Sequence, residues 1–287
     1  MGYLAHIRRC NAHDLSGFSP FALGGVQVGW VRPAVLDVVR RIAGFEASAA
    51  GLALSERVTS FADRSAALME AAEALVAAGL VRKIRSEFYG VKNRWRDTPI
   101  AAVNRGAVPA FGLCAYGVHL NGWRRRADGE IEIWVGRRAL DKSVAPGKLD
   151  NVVAGGQPIG LSLRANLIKE AAEEADVPAK LAATARPVGS VAYTMESGTG
   201  LKPDLMFCYD LEVPDDFVPR NTDGETIGFE VMTACEAGRL IRETDDFKFN
   251  VNLVITDFLM RHGLIDPADE PDYAEIKRGL ANGDAYA

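Results

Sequence analysis

Between Gly155 and Val177 the chain reads GGQPIGLSLRANLIKEAAEEADV, a glycine-rich loop leading into a segment that carries Glu170, Glu173 and Glu174. Taken as a helix from Ser162 to Asp176 with Glu170 at zero, Glu173 lies about 60° to one side and Glu174 about 40° to the other. The three carboxylates share one face, and Ile168, Ala171, Ala172 and Ala175 fall opposite as a packing stripe. Like charges at this spacing repel by a few tenths of a kcal/mol per pair, and only Lys169 among the adjacent residues offsets them. Such a face is either a solvated acidic surface or a cation site. Hard divalent ions, Mg2+ or Mn2+, suit carboxylate oxygens and bridge to substrate phosphates.

The 287 residues give room for one large domain or two ordinary ones, and 48% hydrophobic with 25% charged residues is an ordinary globular composition. A net charge of -5 argues against nucleic acid as a partner but leaves room for a local basic pocket. No apolar run reaches the roughly 18 residues of a membrane span; the longest uncharged stretch, Gly106 to Trp123, contains Pro109, His119 and Asn121. The opening MGYLAHIRRCNAHDL lacks the apolar core of a signal peptide, and His6 breaks the myristoylation pattern. A cytoplasmic protein without a membrane partner is expected. Cys10, Cys114, Cys208 and Cys235 form no C-x-x-C pair and the four histidines are scattered, which speaks against a zinc knuckle, a redox pair or a His-rich metal site.

Along the chain, Pro33 to Gly44 and Ala62 to Gly79 read as helices closed by glycine, with strands at LALSERV and at Glu87 to Asn93. This half reads as a small α+β domain over residues 1–105. From residue 106 the texture turns to β-branched and aromatic alternation. A hairpin about Asp128-Gly129 joins FGLCAYGVHLNGW to EIEIWVGRR. Strands follow at Val152 to Ala154, Pro187 to Tyr193, Asp204 to Val213 and Ile227 to Met232, with helices over the acidic segment, Ala234 to Arg242 and Asn250 to Arg261. Mixed strands with interspersed helices over residues 106–287 suit an α/β/α sandwich.

The acidic segment resembles the signature box of the Nudix family, G-x5-E-x7-R-E-U-x-E-E-x-G-U, where U is a bulky aliphatic residue. Gly155, Glu170, Glu173, Glu174 and Val177 match in register. Leu161 replaces the first Glu, Lys169 the Arg, Ala171 the first aliphatic residue and Asp176 the late Gly. The flanks are similar to the branch whose Nudix domain is fused to thiamin pyrophosphokinase in fungi: YGVHLNGW, IWVGRR, K-x4-PG-x-LDN-x-VAGG, KEAAEEA, GLKPDLMFCYDLEVP, PRNTDGE and FLMRHG. In that branch an aliphatic residue at the Leu161 position and Lys at the Lys169 position are usual.

The resemblance implies a Nudix α/β/α sandwich with a mixed sheet, preceded by the smaller α+β domain, and hydrolysis of a diphosphate linkage in a small molecule. Glu170, Glu173 and Glu174 would hold Mg2+ or Mn2+, with the Gly155 carbonyl as a further ligand and Lys169 orienting the carboxylates. A later carboxylate, Glu225 first and Glu230 second, would act as metal ligand or general base. Lys202, Arg220 and Arg137, with Arg138 beside it, are candidate phosphate contacts. The expected substrate is thiamine diphosphate or an oxidised analogue; ADP-ribose or another nucleoside diphosphate derivative is an alternative. A module that binds without hydrolysis is a second alternative, raised by Leu161, Ala171 and Asp176. His119 and Asn121 lie on one face of a strand, where they contact substrate or hydrogen-bond internally. Trp123 and Trp134 stack on a ring or pack the core.

Overall fold

The computed structural model describes residues 2–281. After helix α1 (Tyr3–Cys10), strands β1 (Ser19–Leu23), β2 (Val26–Val31), β3 (Phe45–Ser48) and β4 (Gly51–Leu54) form a sheet in the order β2-β1-β4-β3. Helices α2 (Pro33–Val39) and α3 (Phe61–Ala77) bury Val35, Val39, Leu68 and Leu75 with Phe21, Leu23 and Leu52 of this sheet. The α3 start is fixed locally, since Ser60 Oγ accepts the Asp63 N–H at 3.0 Å. An antiparallel hairpin of β5 (Phe88–Val91) and β6 (Ala101–Asn104) completes the first unit.

The second unit is a seven-stranded mixed sheet. Its strands are β7 (Ala115–Arg125), β8 (Ile131–Arg138), β9 (Leu149–Asn151), β10 (Val153–Gly156), β11 (Arg186–Glu196), β12 (Leu201–Glu212) and β13 (Thr226–Thr233). The main path is β11-β12-β7-β8-β13, with β10 paired to β7 and β9 to β8; β12 runs parallel to β7, placing Phe207 opposite Val118. Helices α4 (Leu163–Ala175) and α5 (Ala179–Ala182) precede β11, and α6 (Ala234–Glu243), α7 (Val251–Arg261) and α8 (Tyr273–Leu280) follow β13.

Period-two alternation in β7 separates the two helical layers. Val118 and Leu120 pack with Leu167, Ala171 and Ala175 of α4. Trp123 belongs to the other core, with residues of α1, α6, α7 and α8. The α/β/α sandwich with a preceding smaller unit is therefore present as the sequence implies.

The packing divides the chain differently from a boundary at 105/106. Ala107, Val108, Ala110, Phe111 and Leu113 are buried in the first unit's core, and Trp30 N–H donates to the Phe111 carbonyl at 3.0 Å. Conversely, Tyr3, Leu4, Ile7 and Cys10 of α1 pack in the second unit's core with Phe258, Ile276 and Leu280. Their spacing is an amphipathic stripe two turns long. Helix α2 also ends at Val39, earlier than the Gly44 stop, because the chain turns into β3.

Candidate active site

Helix α4 is framed as its sequence predicts. Ser162 Oγ accepts the Ala165 N–H at 3.1 Å, and Asp176 closes the helix with φ 52°. A left-handed cap is usually glycine, but Asp tolerates it, and Arg220 Nε holds the Asp176 carboxylate at 2.8 Å. Asp176 in place of Gly and Ala171 in the buried stripe thus keep the helix geometry intact. That stripe is Leu167, Ala171 and Ala175, whereas Ala172, expected in it, is exposed. The helix is rotated so that Glu170 and Glu174 flank the buried side and Glu173 faces out.

The loop ahead of α4 and these carboxylates interlock. A Cβ on Gly155 would collide with the Glu170 carboxyl group, so only glycine lets Glu170 come this close. Glu174 Oε2 accepts the Ala154 N–H at 2.9 Å. Burial pushes the Glu174 carboxyl up to about 8, the Ala154 hydrogen bond opposes this, and the negative charges of Glu170, Asp150 and Glu225 add to it. Glu170 is also raised, first by burial, with Lys169 pulling the other way. Lys169 Nζ bridges Glu170 at 3.2 Å and Glu173 at 2.6 Å. Among the described residues no three acidic, His or Cys side chains already converge on one point. Two buried amide oxygens near this loop, Gln157 Oε1 and Asn166 Oδ1, have no donor; the Asn166 amide donates to the Gly156 carbonyl at 2.8 Å.

A cavity of about 760 Å³ opens beside the loop and is walled by both units. It gathers Gly155, Glu225 and Lys202 of the expected site residues, along with Arg138. Glu225 is paired with Lys142 at 2.6 Å and Lys202 with Asp204 at 3.2 Å. Arg137 and Arg220 do not line it, and neither do Lys169, Glu170, Glu173 and Glu174. Arg137 closes on Glu230 across the β8–β13 pair at 2.8 Å, taking the second-choice carboxylate with it, and Arg220 on the Asp176 cap. Sequence reasoning missed Tyr89, Arg105 and Lys248 on this wall. Asp150 and Asn151 stood in the LDN motif without an assigned role.

Those two residues belong to a buried chain of hydrogen bonds. Arg261 and Lys248 anchor Asp210 and Asp150: the Arg261 guanidinium pairs with Asp210, and Lys248 Nζ with Asp150 at 3.1 Å, beside Arg138 at 2.6 Å. Asp210 accepts from Asn121 Nδ2 at 3.0 Å, Asn121 Oδ1 from Asn151 Nδ2 at 2.7 Å, and Asn151 Oδ1 meets His119 Nδ1 at 2.8 Å. A carboxylate only accepts, so each amide orientation follows from the last, and His119 must carry its proton on Nδ1. Burial lowers the His119 pKa to about 4, Lys248 lowers it further, and Asp150 and Asn151 oppose. His119 and Asn121 are thus hydrogen-bonded internally, and His119 also lines the cavity. Trp123 and Trp134 are both buried in cores, Trp123 edge-on to Phe258 and His262.

Comparison with known proteins accounts for both units. Residues 2–115 match a family model described as a domain of unknown function, DUF4743. The whole chain is similar to two proteins of Arabidopsis thaliana. It is 38% identical to Nudix hydrolase 24, chloroplastic, and 36% identical to Nudix hydrolase 20, chloroplastic, each over 99% of this chain and 78% of the relative. The chain belongs to the Nudix hydrolase family. Among solved structures this Nudix hydrolase is similar to DR0079 from Deinococcus radiodurans, with 20% identity and a TM-score of 0.44 over 60% of this chain and 98% of that one. Membership makes it a pyrophosphohydrolase in the general sense, and Nudix hydrolases use divalent metals. The donor set here fits one. Glu174 is a partly buried carboxylate with no cationic partner among the described residues, beside a backbone loop that only glycine permits. No described helix of this Nudix hydrolase is long and apolar enough to cross a membrane.

Proposed function

We propose that the chain is a Mg2+-dependent hydrolase that cleaves the diphosphate of thiamine diphosphate, or of its oxo and oxy analogues, to the monophosphate and phosphate. The observation that carries the metal assignment is Glu174, whose carboxylate accepts the Ala154 N–H beside Gly155 and has no cationic partner among the described residues. Glu170, Glu173, Glu174 and the Gly155 carbonyl would hold the ion, with Mn2+ as the alternative. When bound, it supplies neutralisation of phosphate charge and lowers the pKa of a water. Lys169 holds Glu170 and Glu173 in register, although an ammonium lacks the two-point grip of the Arg common at its position. Glu225 faces the cavity and serves as general base. It takes the proton of the attacking water as the new oxygen–phosphorus bond forms and the bridging P–O bond breaks. Lys202 on the same wall contacts the phosphates. The choice of thiamine diphosphate is supported by the motifs shared with the fungal branch. A reducing compartment such as the cytoplasm suits four free cysteines, three of them buried.

The test is turnover of purified protein with Mg2+ against a panel of thiamine diphosphates, ADP-ribose and other nucleoside diphosphate derivatives, with products followed chromatographically. Preferential consumption of thiamine compounds is expected. Faster turnover of the nucleotides would replace the substrate assignment, and no turnover of any compound would leave a binding module.

A further inference from the structure

The first unit bears directly on the box loop. Ile159 N–H donates to the Phe88 carbonyl of β5 at 2.9 Å, and the Tyr89 hydroxyl sits where a Cβ on Gly156 would be. Tyr89 is 6% exposed, so this contact is part of the packed interior. The two units are thus registered against each other at the cavity.

The charges around that cavity are unevenly satisfied. On the second unit's side, Arg138 and Lys248 pair with Asp150, Lys142 with Glu225 and Lys202 with Asp204. On the first unit's side, Arg82, Lys83 and Arg85 line the same cavity and have no carboxylate partner among the described residues. The segment carrying them is anchored at Arg85. Asn104, fully buried, accepts the Arg85 N–H at 3.0 Å and donates to the Arg85 carbonyl at 2.8 Å. Arg82, Lys83 and Arg85 are exposed at the cavity, and three like charges on one wall give a local positive potential that attracts an anion.

We infer that Arg82, Lys83 and Arg85 form an anion subsite that binds the phosphate end of the substrate, so that the first unit is part of the active site. This rests on the diphosphate-hydrolase reading of the box. The buried amide of Asn104 fixes the backbone at Arg85, which limits the loop ordering that binding would cost there. The ligand class is a diphosphate or phosphate ester.

The experiment compares two variants of equal charge change. R82A/R85A removes cavity cations; R94A/R96A removes two exposed arginines of the same unit that do not line the cavity. Binding of inorganic pyrophosphate is measured by calorimetry, and KM and kcat on whichever diphosphate the wild type turns over. R82A/R85A should weaken pyrophosphate binding and raise KM about tenfold, the size of one or more lost charge-assisted contacts, with kcat and melting temperature unchanged. R94A/R96A should change neither. Equal effects in the two variants, no effect in R82A/R85A, or no pyrophosphate binding by the wild type would each overturn the subsite. Wild type that binds pyrophosphate through Arg82 and Arg85 but hydrolyses nothing would sink the hydrolase reading and leave the subsite standing.

Discussion

Two groups of carboxylates stand within the same sheet-and-helix unit and are treated in opposite ways. Asp150 and Asp210 are nearly inaccessible and fully partnered, by Arg138 and Lys248 in one case and by Arg261 and Asn121 in the other. Glu170, Glu173 and Glu174 have a single lysine among them, and it does not reach Glu174. Buried charge is tolerated when its hydrogen bonds and counter-charges are complete. The first group is closed and contributes architecture. The second lacks positive charge, which is the condition for binding a cation rather than supporting a fold.

The sharpest way to break this contrast is at Asp210. Asp210→Ala leaves the Arg261 guanidinium with Asp257 alone and strands the Asn121 amide, and urea unfolding should show a loss of about 3 kcal/mol. A loss under about 1 kcal/mol would mean the network is not closed. Next is acid. His119 has a folded pKa near 4 against an ordinary 6.5, so between these values the unfolded chain binds a proton the folded chain does not. Its contribution is complete above pH 6.5 and falls as pH drops through the window, by about 3 kcal/mol at pH 4. In His119→Gln, stability measured at pH 7 and pH 4.5 should differ less than in wild type.

On the other group the effects should appear in chemistry. Glu174→Gln keeps an oxygen for the Ala154 N–H, so stability should stay within about 1 kcal/mol. Hydrolysis should fall by at least about a hundredfold, since even outer-shell changes at metal sites cost 10- to 100-fold. Full activity in this variant would remove Glu174 from the site. Smallest is Lys169→Ala, whose exposed ion pairs should be worth under about 1 kcal/mol in thermal unfolding.

What could be read in advance followed the range of the forces involved. The frame of α4 was legible to the residue, because Ser162 and Asp176 act on their nearest neighbours. The hairpin of β7 and β8 followed from the β-branched and aromatic texture on either side of a turn with Gly129 at φ 90°. Gly155 and the three glutamates were legible as a register, though Ala172 shows that the helix's rotation is set by what it packs against. The ion pairs of Arg137 and Arg220 were not legible because their partners, Glu230 and Asp176, are brought close only by strand pairing and by the docking of the 220 segment. The cations of the first unit were invisible as site residues for the same reason: nothing local says that residues 82–85 will face residue 155. Helix α1 was missed because two turns of amphipathic pattern are too short to stand out.

That helix also sets an order of assembly. His6 bonds the Ile241 carbonyl across 235 residues of sequence, so α1 is synthesised before α6, α7 and α8 and can be housed only after they have emerged. The sheet of β1 to β4 can condense meanwhile, while the apolar stripe of Tyr3, Leu4 and Ile7 waits unshielded. Pulsed hydrogen exchange during refolding should find the α1 amides among the last to be protected; early protection would mean the helix docks on something other than its final neighbours. Late arrival makes α1 the latch of the hydrolase unit, fastened from the far side of a domain inserted between the latch and the body it closes.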